Sequence, residues 1–258
     1  MTPTLWIAAG DLHYPKVNWR TFRAMLKFIE DRKPTGFIFG GDQFDNECIS
    51  HHTKGKPLLR SKAAYRRDEV GFERGILEPL EKSLGGHSKR VWVVGNHDNW
   101  ESQLIEEQPE LEGVLERTVR LRLKERGWEI VPIGRSYRQG KLTVIHGEVL
   151  GGFGNQVSQY HAKKAVEAYC SNVLYFHFHS PQSYTKVLPV NQTQKWMAHC
   201  APILGDRNPG YLRNRPTAWL NGFVAIEFHG RAGNFNLYPI VVTEGRFSYG
   251  GKVYDGNE

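Results

Sequence analysis

Residues 5–13 read LWIAAGDLH and residues 36–42 read GFIFGGD, and these two stretches decide the fold. Each is a short apolar run that predicts a buried strand, and each ends in small residues followed by an aspartate. Between them, Trp19 to Ile29 carries apolar residues at helical spacing after Asn18, which predicts a capped helix. Strand, helix and strand within about forty residues make a βαβ unit, so we expect a partly parallel sheet.

The alternation of apolar runs continues along the chain. Further strands are predicted at 91–94, 128–133, 142–145 and 173–176, with helices at 62–84, at 104–123 around Pro109, and at 156–169. After residue 180 the pattern changes to short β-prone pieces at 184–188, 195–198, 222–228, 235–242 and 247–249. We expect one domain over residues 1–258, in which 184–255 completes a second sheet.

Composition excludes several classes of protein. The chain has 258 residues, a net charge of +7 and 40% hydrophobic residues, as a globular protein does. No apolar run reaches the roughly 18 residues of a membrane span, and the N-terminus lacks a secretory pattern. Three cysteines without a CxxC argue against a disulfide framework or a zinc ribbon. We therefore expect a cytoplasmic protein with no membrane partner, and the positive charge favours an anionic partner.

Polar side chains follow five of the predicted strands. They are Asp11-Leu12-His13, Gly41-Asp42, Gly95-Asn96-His97-Asp98, His146-Gly147 and His177-Phe178-His179. Each set alone is typical of a turn or of an incidental histidine, but coincidence does not supply five in order. In an open α/β sheet, ligands bind beyond the carboxyl ends of the strands, so we expect these groups to converge there.

The convergent groups have the chemistry of a metal site. Carboxylate oxygens, imidazole nitrogens and an amide oxygen suit divalent metals such as Mn²⁺, Fe²⁺ or Zn²⁺. Seven such groups exceed what one ion needs, and a shared carboxylate would let two ions sit about 3.5–4 Å apart, as in two-metal hydrolases.

This set of motifs resembles that of the calcineurin-like metallophosphoesterases: DxH, GD, GNH followed by an acid, a separate histidine, and GHxH. The match spans residues 11 to 179. A closing strand at 222–228 and a late Gly245-Arg246-Phe247 are also similar to phage and bacterial members of the superfamily. The resemblance implies a four-layer α/β/β/α sandwich, with two mixed β-sheets flanked by helices.

The resemblance also implies a role for each residue. Two divalent ions are expected, with Mn²⁺ favoured and Fe²⁺, Zn²⁺, Ni²⁺ and Mg²⁺ as alternatives, and Asp42 would bridge them. His97 would act as general acid or charge stabiliser, Asp98 would fix its ring, and Asn96 would also contact the substrate phosphate. The implied metal ligands are Asp11, His13, Asp42, Asn96, His146, His177 and His179.

One position departs from the family pattern. Phe176 stands where the family usually has the glycine before the first histidine of the last motif. We expect either an ordinary backbone conformation in that turn or a slight displacement of His177 and His179.

The expected function is hydrolysis of a phosphodiester by in-line attack of a metal-bridging hydroxide, in the manner of a phage-type DNA nuclease. One alternative is a phosphomonoesterase or nucleotide hydrolase acting on small molecules. The alternative of another class is a non-catalytic binding scaffold. The expected partner is thus a phosphate ester, with DNA or another nucleic acid as the specific version, and the oligomeric state stays open.

A basic stretch over residues 46–67 is the main further candidate. It reads either as a solvated surface or as a flap that contacts substrate phosphates, for which His52 and Arg60 are the candidates. The helix opening at 160–164 is expected to be a solvated face, His199 to be structural, and Trp219 and four other tryptophans to be core residues.

Overall fold

The computed structural model of the chain describes residues 2–50, 53, 62–151, 160–212 and 215–257. Six strands form its first sheet: β1 (Thr4–Ala9), β2 (Gly36–Phe39), β3 (Lys89–Val93), β4 (Trp128–Val131), β10 (Gly222–His229) and β11 (Asn234–Val241). The order is β11-β10-β1-β2-β3-β4. The four strands from β1 to β4 are parallel, whereas β10 and β11 are antiparallel to their neighbours.

The second sheet has five strands: β5 (Tyr137–Gln139), β6 (Leu142–Ile145), β7 (Asn172–Tyr175), β8 (Gln182–Leu188) and β9 (Asn191–Cys200). Their order is β5-β6-β7-β9-β8, with β6, β7 and β9 parallel and an antiparallel strand at each edge. A separate hairpin of β12 (Arg246–Tyr249) and β13 (Lys252–Asp255) follows at the C-terminal end.

The α-helices of the described residues are α1 (Trp19–Arg32), α2 (Lys62–Phe72), α3 (Glu78–Leu84), α4 (Trp100–Glu107), α5 (Arg117–Arg120), α6 (Glu148–Gly151) and α7 (His161–Tyr169). Helices α1 to α3 pack on the outer face of the first sheet, and α6 and α7 pack on that of the second. The side chain of Asn18 accepts a hydrogen bond from the backbone N–H of Thr21, which confirms the predicted cap of α1. The predicted long helix at 62–84 is also confirmed, with a π-helical turn at Glu73–Leu77 between α2 and α3.

Alternating side chains of the first sheet enter two different cores. Trp6 and Ala8 of β1 pack into the core between the sheets, whereas Ile7 and Ala9 pack against α1 and its neighbours. The outer face of the second sheet is covered by Ala165 and Val166 of α7 and their neighbours. The order is therefore helix, sheet, sheet, helix, which confirms the four-layer α/β/β/α sandwich.

The C-terminal strands differ from expectation. Only β8 and β9 complete the second sheet, while β10 and β11 extend the first sheet beside β1. The reason lies in β10, which is apolar on both faces. Val224 and Ile226 enter the intersheet core, and Phe223 and Ala225 enter the core under α1. Such a strand needs cover on both sides, and its place beside β1 provides it.

Candidate metal centre

The polar motifs lie at one edge of the two sheets. Asp11 and His13 follow β1, Asp42 follows β2, and Asn96 to Asp98 follow β3 in the first sheet. His146 follows β6, and His177 and His179 follow β7 in the second. Because the strands concerned are parallel within each sheet, their carboxyl ends meet at the same edge. The structure thus brings together all seven residues expected to be metal ligands.

The first cluster joins Asp11, His13 and His179, whose potential ligand atoms lie within 4.8 Å of one another. Nε2 of His13 is 3.2 Å from Nε2 of His179, and the latter is 3.5 Å from Oδ1 of Asp11. The other carboxylate oxygen of Asp11 accepts a hydrogen bond from the backbone N–H of His177, at 3.0 Å. Asp11 is therefore held in place through Oδ2 while Oδ1 faces the cluster.

The second cluster joins Asp42, His146 and His177. Nε2 of His146 lies 3.2 Å from Oδ2 of Asp42 and 3.0 Å from Oδ1 of Asn96. Nδ1 of His146 donates to the carbonyl of Gly40, at 2.9 Å. The ring is thus oriented from behind, with Nε2 directed at the oxygens of Asp42 and Asn96.

His97 lies between the two clusters. It can form a third ligand group with His13 and Asp42, and its backbone N–H donates to Oδ1 of Asp42 at 2.8 Å. Its Nδ1 donates to the carbonyl of Asp45 at 2.9 Å, and its ring packs on Trp100 with 4.1 Å between centroids. Since a carbonyl oxygen only accepts, Nδ1 carries a proton, and Nε2 is the atom that can take up or release one.

The loops that carry the cluster adopt unusual backbone conformations. Six non-glycine residues here have a positive φ, between 49° and 75°: Asp11, His13, Asp42, Asn46, His177 and His179. This region is sparsely populated by residues with a Cβ and persists where the surroundings impose it. Gly95 is required for a related reason, since a Cβ there would overlap Oδ1 and the backbone nitrogen of Asp42.

Phe176 adopts an ordinary backbone conformation, one of the two outcomes expected from the sequence. The left-handed conformations fall on His177 and His179 themselves, and Phe176 is absent from the residues of positive φ. Its side chain is fully buried against Gly10 and Gly40, where a Cβ on either glycine would clash with the ring. The glycines at the ends of β1 and β2 thus make room for the Phe176 ring.

Asp98 does not have the predicted contact. Its carboxylate accepts hydrogen bonds from the backbone N–H groups of Gly95, Gln43 and Phe44, at 3.0 to 3.4 Å. The His97 ring is instead fixed by Asp45 and Trp100. Asp98 therefore joins the loop after β2 to the loop after β3. Its carboxylate is within reach of three backbone N–H groups, which hold it away from the His97 ring.

A buried network that the sequence did not reveal supports His97. Nδ2 of Asn46 donates to the backbone carbonyl of His97 at 2.8 Å, and Arg117 donates to Oδ1 of Asn46. The guanidinium carbon of Arg117 lies 3.9 Å from the ring centroids of both Phe44 and Tyr65. Arg117 is 2% exposed, and it is also paired with Glu101 at 3.4 Å.

The signals for this network differ by residue. Asp45 and Asn46 lie in the same loop as Asp42, which was the available hint. Arg117 follows no motif. Its role depends on a contact across 71 positions of sequence, which no local pattern reveals.

The remaining candidate residues of the sequence lie in environments that differ in part from those expected. His161 is buried rather than solvated: its Nδ1 bonds the Tyr175 hydroxyl at 2.6 Å and its ring stacks on Phe178. Trp196 and Trp219 are half-buried and not core residues: Trp196 packs against the core under α7, and the Trp219 ring lies 4.3 Å from that of His179. His199 is 2% exposed and bonds Ser183, away from the metal ligands. The candidate substrate contacts His52 and Arg60 lie outside the described residues.

The charged groups in the cluster shift one another's pKa. Burial opposes the charging of His146, but the adjacent Asp42 carboxylate outweighs it and raises the pKa of His146 to about 10. Burial likewise works against ionisation of Asp42, yet His146 and His97 hold its pKa well below the usual value. Burial together with the charge of His146 lowers the pKa of His177 to about 4. For Asp98, burial and the Asp42 carboxylate raise the pKa to about 7.

The residues fit divalent cations. Among the described residues, Oδ1 of Asp11 is buried without a hydrogen-bond partner, and the Nε2 atoms of His13 and His179 face each other at 3.2 Å. Nε2 of His146 is directed at the oxygens of Asp42 and Asn96. A metal ion bound between these atoms would replace the proton on Nε2. Nitrogen and oxygen donors of this kind suit first-row divalent metals.

Comparison with known proteins defines the class. The family model of the calcineurin-like phosphoesterases matches residues 7–221, so the chain belongs to that family. The family comprises metal-dependent phosphoesterases, which implies divalent metal ions and a phosphate-ester substrate for this chain.

Individual relatives are more distant. The chain is 25% identical to the Gene 54 protein of Mycobacterium phage L5, over 96% of this chain and 98% of that protein. Among solved structures, zinc-bound Vps29 of Entamoeba histolytica is 12% identical, with a TM-score of 0.45 over 98% of this chain and 100% of that one. A predicted phosphoesterase of Streptococcus pneumoniae TIGR4 is 13% identical, with a TM-score of 0.42 and 99% coverage of both chains. Within the described residues, no helix has the length and apolar character needed to span a membrane.

Proposed function

We propose that this protein hydrolyses phosphodiesters with two divalent ions, Mn²⁺ being the favoured metal. Asp11, His13, Asp42 and His179 would hold one ion, and Asp42, Asn96, His146 and His177 the other. The observation that carries the proposal is that Asp42 forms one ligand group with His146 and His177 and another with His97 and His13, the latter a member of the first cluster. Seven donors exceed the needs of a single ion, and a carboxylate between two clusters suits a bridge.

The two ions would neutralise phosphate charge and lower the pKa of bound water. The side chains of the chain supply the rest. Nδ1 of His97 donates its proton in a hydrogen bond to the Asp45 carbonyl, which leaves Nε2 to face the substrate and to donate a proton to the departing oxygen. Asn96 has its Oδ1 towards His146, which leaves its NH₂ group to donate to a phosphate oxygen.

The preference for diesters is supported by charge. The net charge of +7 favours a polyanionic substrate over a small one, and a DNA nuclease is the specific version we favour. Similarity to a phage protein along nearly the whole chain is consistent with a phage-type enzyme. The setting we propose is cytoplasmic, where reduced cysteines are stable.

The test is a comparison of substrates with Mn²⁺-reconstituted protein. We expect faster hydrolysis of an aryl phosphodiester than of an aryl phosphomonoester, together with cutting of single- or double-stranded DNA. A preference for the monoester without any cutting of DNA would favour a phosphomonoesterase or nucleotide hydrolase.

A non-catalytic scaffold is the remaining alternative. It would follow if the purified protein bound no metal and hydrolysed neither aryl ester. Against it stands the complete set of donors beside His97, five of which are held in sparsely populated backbone conformations: Asp11, His13, Asp42, His177 and His179.

A further inference from the structure

An open groove lies beside the candidate metal centre, between the start of α1 and the loop after β9. Its volume is about 660 Å³, within the range of ligand-binding clefts, and its lining includes Lys16, Trp19, Arg20, Arg23, Asp206 and Pro209. The backbone N–H of Lys16 donates to the carbonyl of His13 at 2.8 Å, and that of Gly205 donates to the carbonyl of Asp11 at 2.9 Å. The backbone at the edge of the groove is thus bonded directly to the residues that carry two candidate metal ligands.

An exposed indole stands on the wall of this groove. The helical spacing of α1 places Trp19 with its apolar residues, yet the structure leaves it 39% exposed. Its ring meets Tyr14 and Phe22 edge to face, with centroids 6.4 and 6.1 Å apart. A large aromatic that is held by two neighbouring rings and remains partly exposed offers apolar surface to a flat ligand.

The charge of the groove is complementary to a polyanion. Arg20 and Arg23 are both exposed, and Nε of Arg23 is anchored on the carbonyl of Gly256. Lys16 is already paired with Asp45 and Glu47. Among the described residues, the other charged side chains of the lining are the two arginines and one acid, Asp206. The first N–H groups of α1 have no acceptor within the helix, which adds a positive dipole end.

We propose that this groove binds a single-stranded nucleic acid next to the phosphodiester at the metal centre. A base adjoining the reacting phosphate stacks on Trp19, and the following phosphates lie along Arg20 and Arg23. The strand is single because a base in a duplex has its faces covered by its neighbours, whereas an indole platform needs one face free. This inference rests on the proposed phosphodiesterase function and specifies its substrate.

The test compares a long and a short substrate. An aryl phosphodiester lacks the sugar that separates a base from the reacting phosphate and the further phosphates that would lie along the arginines, whereas an oligo(dT) strand has both. For Trp19→Ala, we expect the ratio of kcat/KM for oligo(dT) to that for the aryl diester to fall about tenfold, whereas Trp19→Tyr keeps the ratio within about twofold. An unchanged ratio in Trp19→Ala would overturn the proposal.

The arginines give an independent readout, the salt dependence of binding. Fluorescence anisotropy of labelled oligo(dT) measures affinity without turnover. The double variant Arg20→Ala/Arg23→Ala should lower the slope of log K against log salt by about 1.4, since each single-strand phosphate contact contributes about 0.7. Arg138→Ala, on the exposed side of β5, is the matched control and should leave the slope unchanged.

The outcomes separate the two proposals. Binding of oligo(dT) that depends on Trp19 and on both arginines, but without hydrolysis of any diester, would contradict the proposed function and support the proposed binding groove. Hydrolysis of diesters with an unchanged salt slope in the double arginine variant would support the proposed function and contradict the binding groove. Thermal unfolding of each variant checks the fold, and if Trp19→Ala fails to fold, the arginine slope decides.

Discussion

At the scale of single residues, His97 is the side chain on which the proposed chemistry depends most. Replacement by alanine removes the Nε2 donor, while the ligand groups Asp11–His13–His179 and Asp42–His146–His177 stay complete. We expect His97→Ala to retain both Mn²⁺ ions and to lose roughly 10²–10⁴-fold in kcat, the usual contribution of a positioned acid. Metal content by mass spectrometry and kcat on an aryl diester measure the two effects.

The matched control for His97 is Asp42→Ala, which removes the carboxylate shared by the proposed ligand sets. It should lose metal as well as activity. The third ligand group, of His13, Asp42 and His97, provides the competing interpretation. Loss of one or both ions from His97→Ala would make His97 a ligand and would exclude the role of general acid.

Arg117 acts on His97 through one intermediate residue. Its guanidinium reaches Asn46, whose amide holds the carbonyl of His97. Lysine keeps the charge but lacks the planar fork and the stacking on Phe44 and Tyr65. We expect Arg117→Lys and Asn46→Ala each to lower kcat about tenfold, with KM and metal content nearly unchanged, because an offset of the acid weakens the transition state more than substrate binding.

A double variant distinguishes positioning from general destabilisation. If Arg117 acts through Asn46, the kcat of Arg117→Lys/Asn46→Ala should equal that of the poorer single variant, since residues in one network are not additive. Independent, multiplied losses in kcat would show that the two residues act separately. A loss of Mn²⁺ in either single variant would assign them to the metal centre instead.

At the scale of elements, strand β9 contains a buried histidine whose protonation opposes folding. His199 is paired in register with Leu174, which packs between the sheets, and its Nε2 has no hydrogen-bond partner among the described residues. Burial lowers the pKa of His199 to about 4. Between pH 6.5 and 4, His199 therefore binds a proton in the unfolded chain but not in the folded one. The free energy of unfolding falls as the pH drops through this range.

The size of this effect is measurable. The difference in the pKa of His199 between the unfolded and the folded chain lowers the free energy of unfolding by about 3 kcal/mol between pH 7.5 and pH 4. Glutamine can still bond Ser183 but does not titrate. We therefore expect the free energy of unfolding of His199→Gln to fall less than that of wild type over this pH range, by about 3 kcal/mol. Urea unfolding at several pH values measures it, with His87→Gln on the exposed surface as control. Equal pH dependence in His199→Gln and wild type would contradict the assignment.

The elements also mark the limit of what the sequence could predict. Strands β1, β2, β3, β6 and β7 are continuous apolar runs with a polar motif directly after each, so both their positions and the convergence of their ends were predictable. Strand β5 reads Tyr-Arg-Gln and β13 reads Lys-Val-Tyr-Asp, which local pattern cannot tell from a turn. The placement of β10 depended on which core could cover both of its faces, a property of the assembled molecule. The same holds for Phe176, since the glycines that accommodate it lie 166 and 136 positions earlier in the sequence.

At the scale of the whole molecule, the candidate metal centre joins the two sheets. Asp11, His13, Asp42 and Asn96 belong to the loops of the first sheet, whereas His146, His177 and His179 belong to the loops of the second. Direct contacts already cross between them, including the backbone N–H of His177 on Asp11 and the carbonyl of Gly40 under His146. Ions held by ligands from both sheets would therefore act as cross-links within the fold.

Metal binding should for this reason stabilise the entire chain and not only its loops. An ion that binds the folded state adds about 2.7 kcal/mol when its concentration is 100 times its Kd, and the unfolded chain has no assembled site to compete. We expect the unfolding temperature to rise with Mn²⁺ concentration and to fall again after chelation, in a single cooperative transition.

Variants on each sheet make this prediction specific to the cross-link. His13→Ala and His146→Ala remove one ligand from the first and from the second sheet, and each should reduce the Mn²⁺-dependent rise of the unfolding temperature. His229→Ala, exposed at the end of β10, should keep the full rise. If Mn²⁺ raised the unfolding temperature of His13→Ala and His146→Ala as much as that of wild type, the stabilising ions would bind elsewhere.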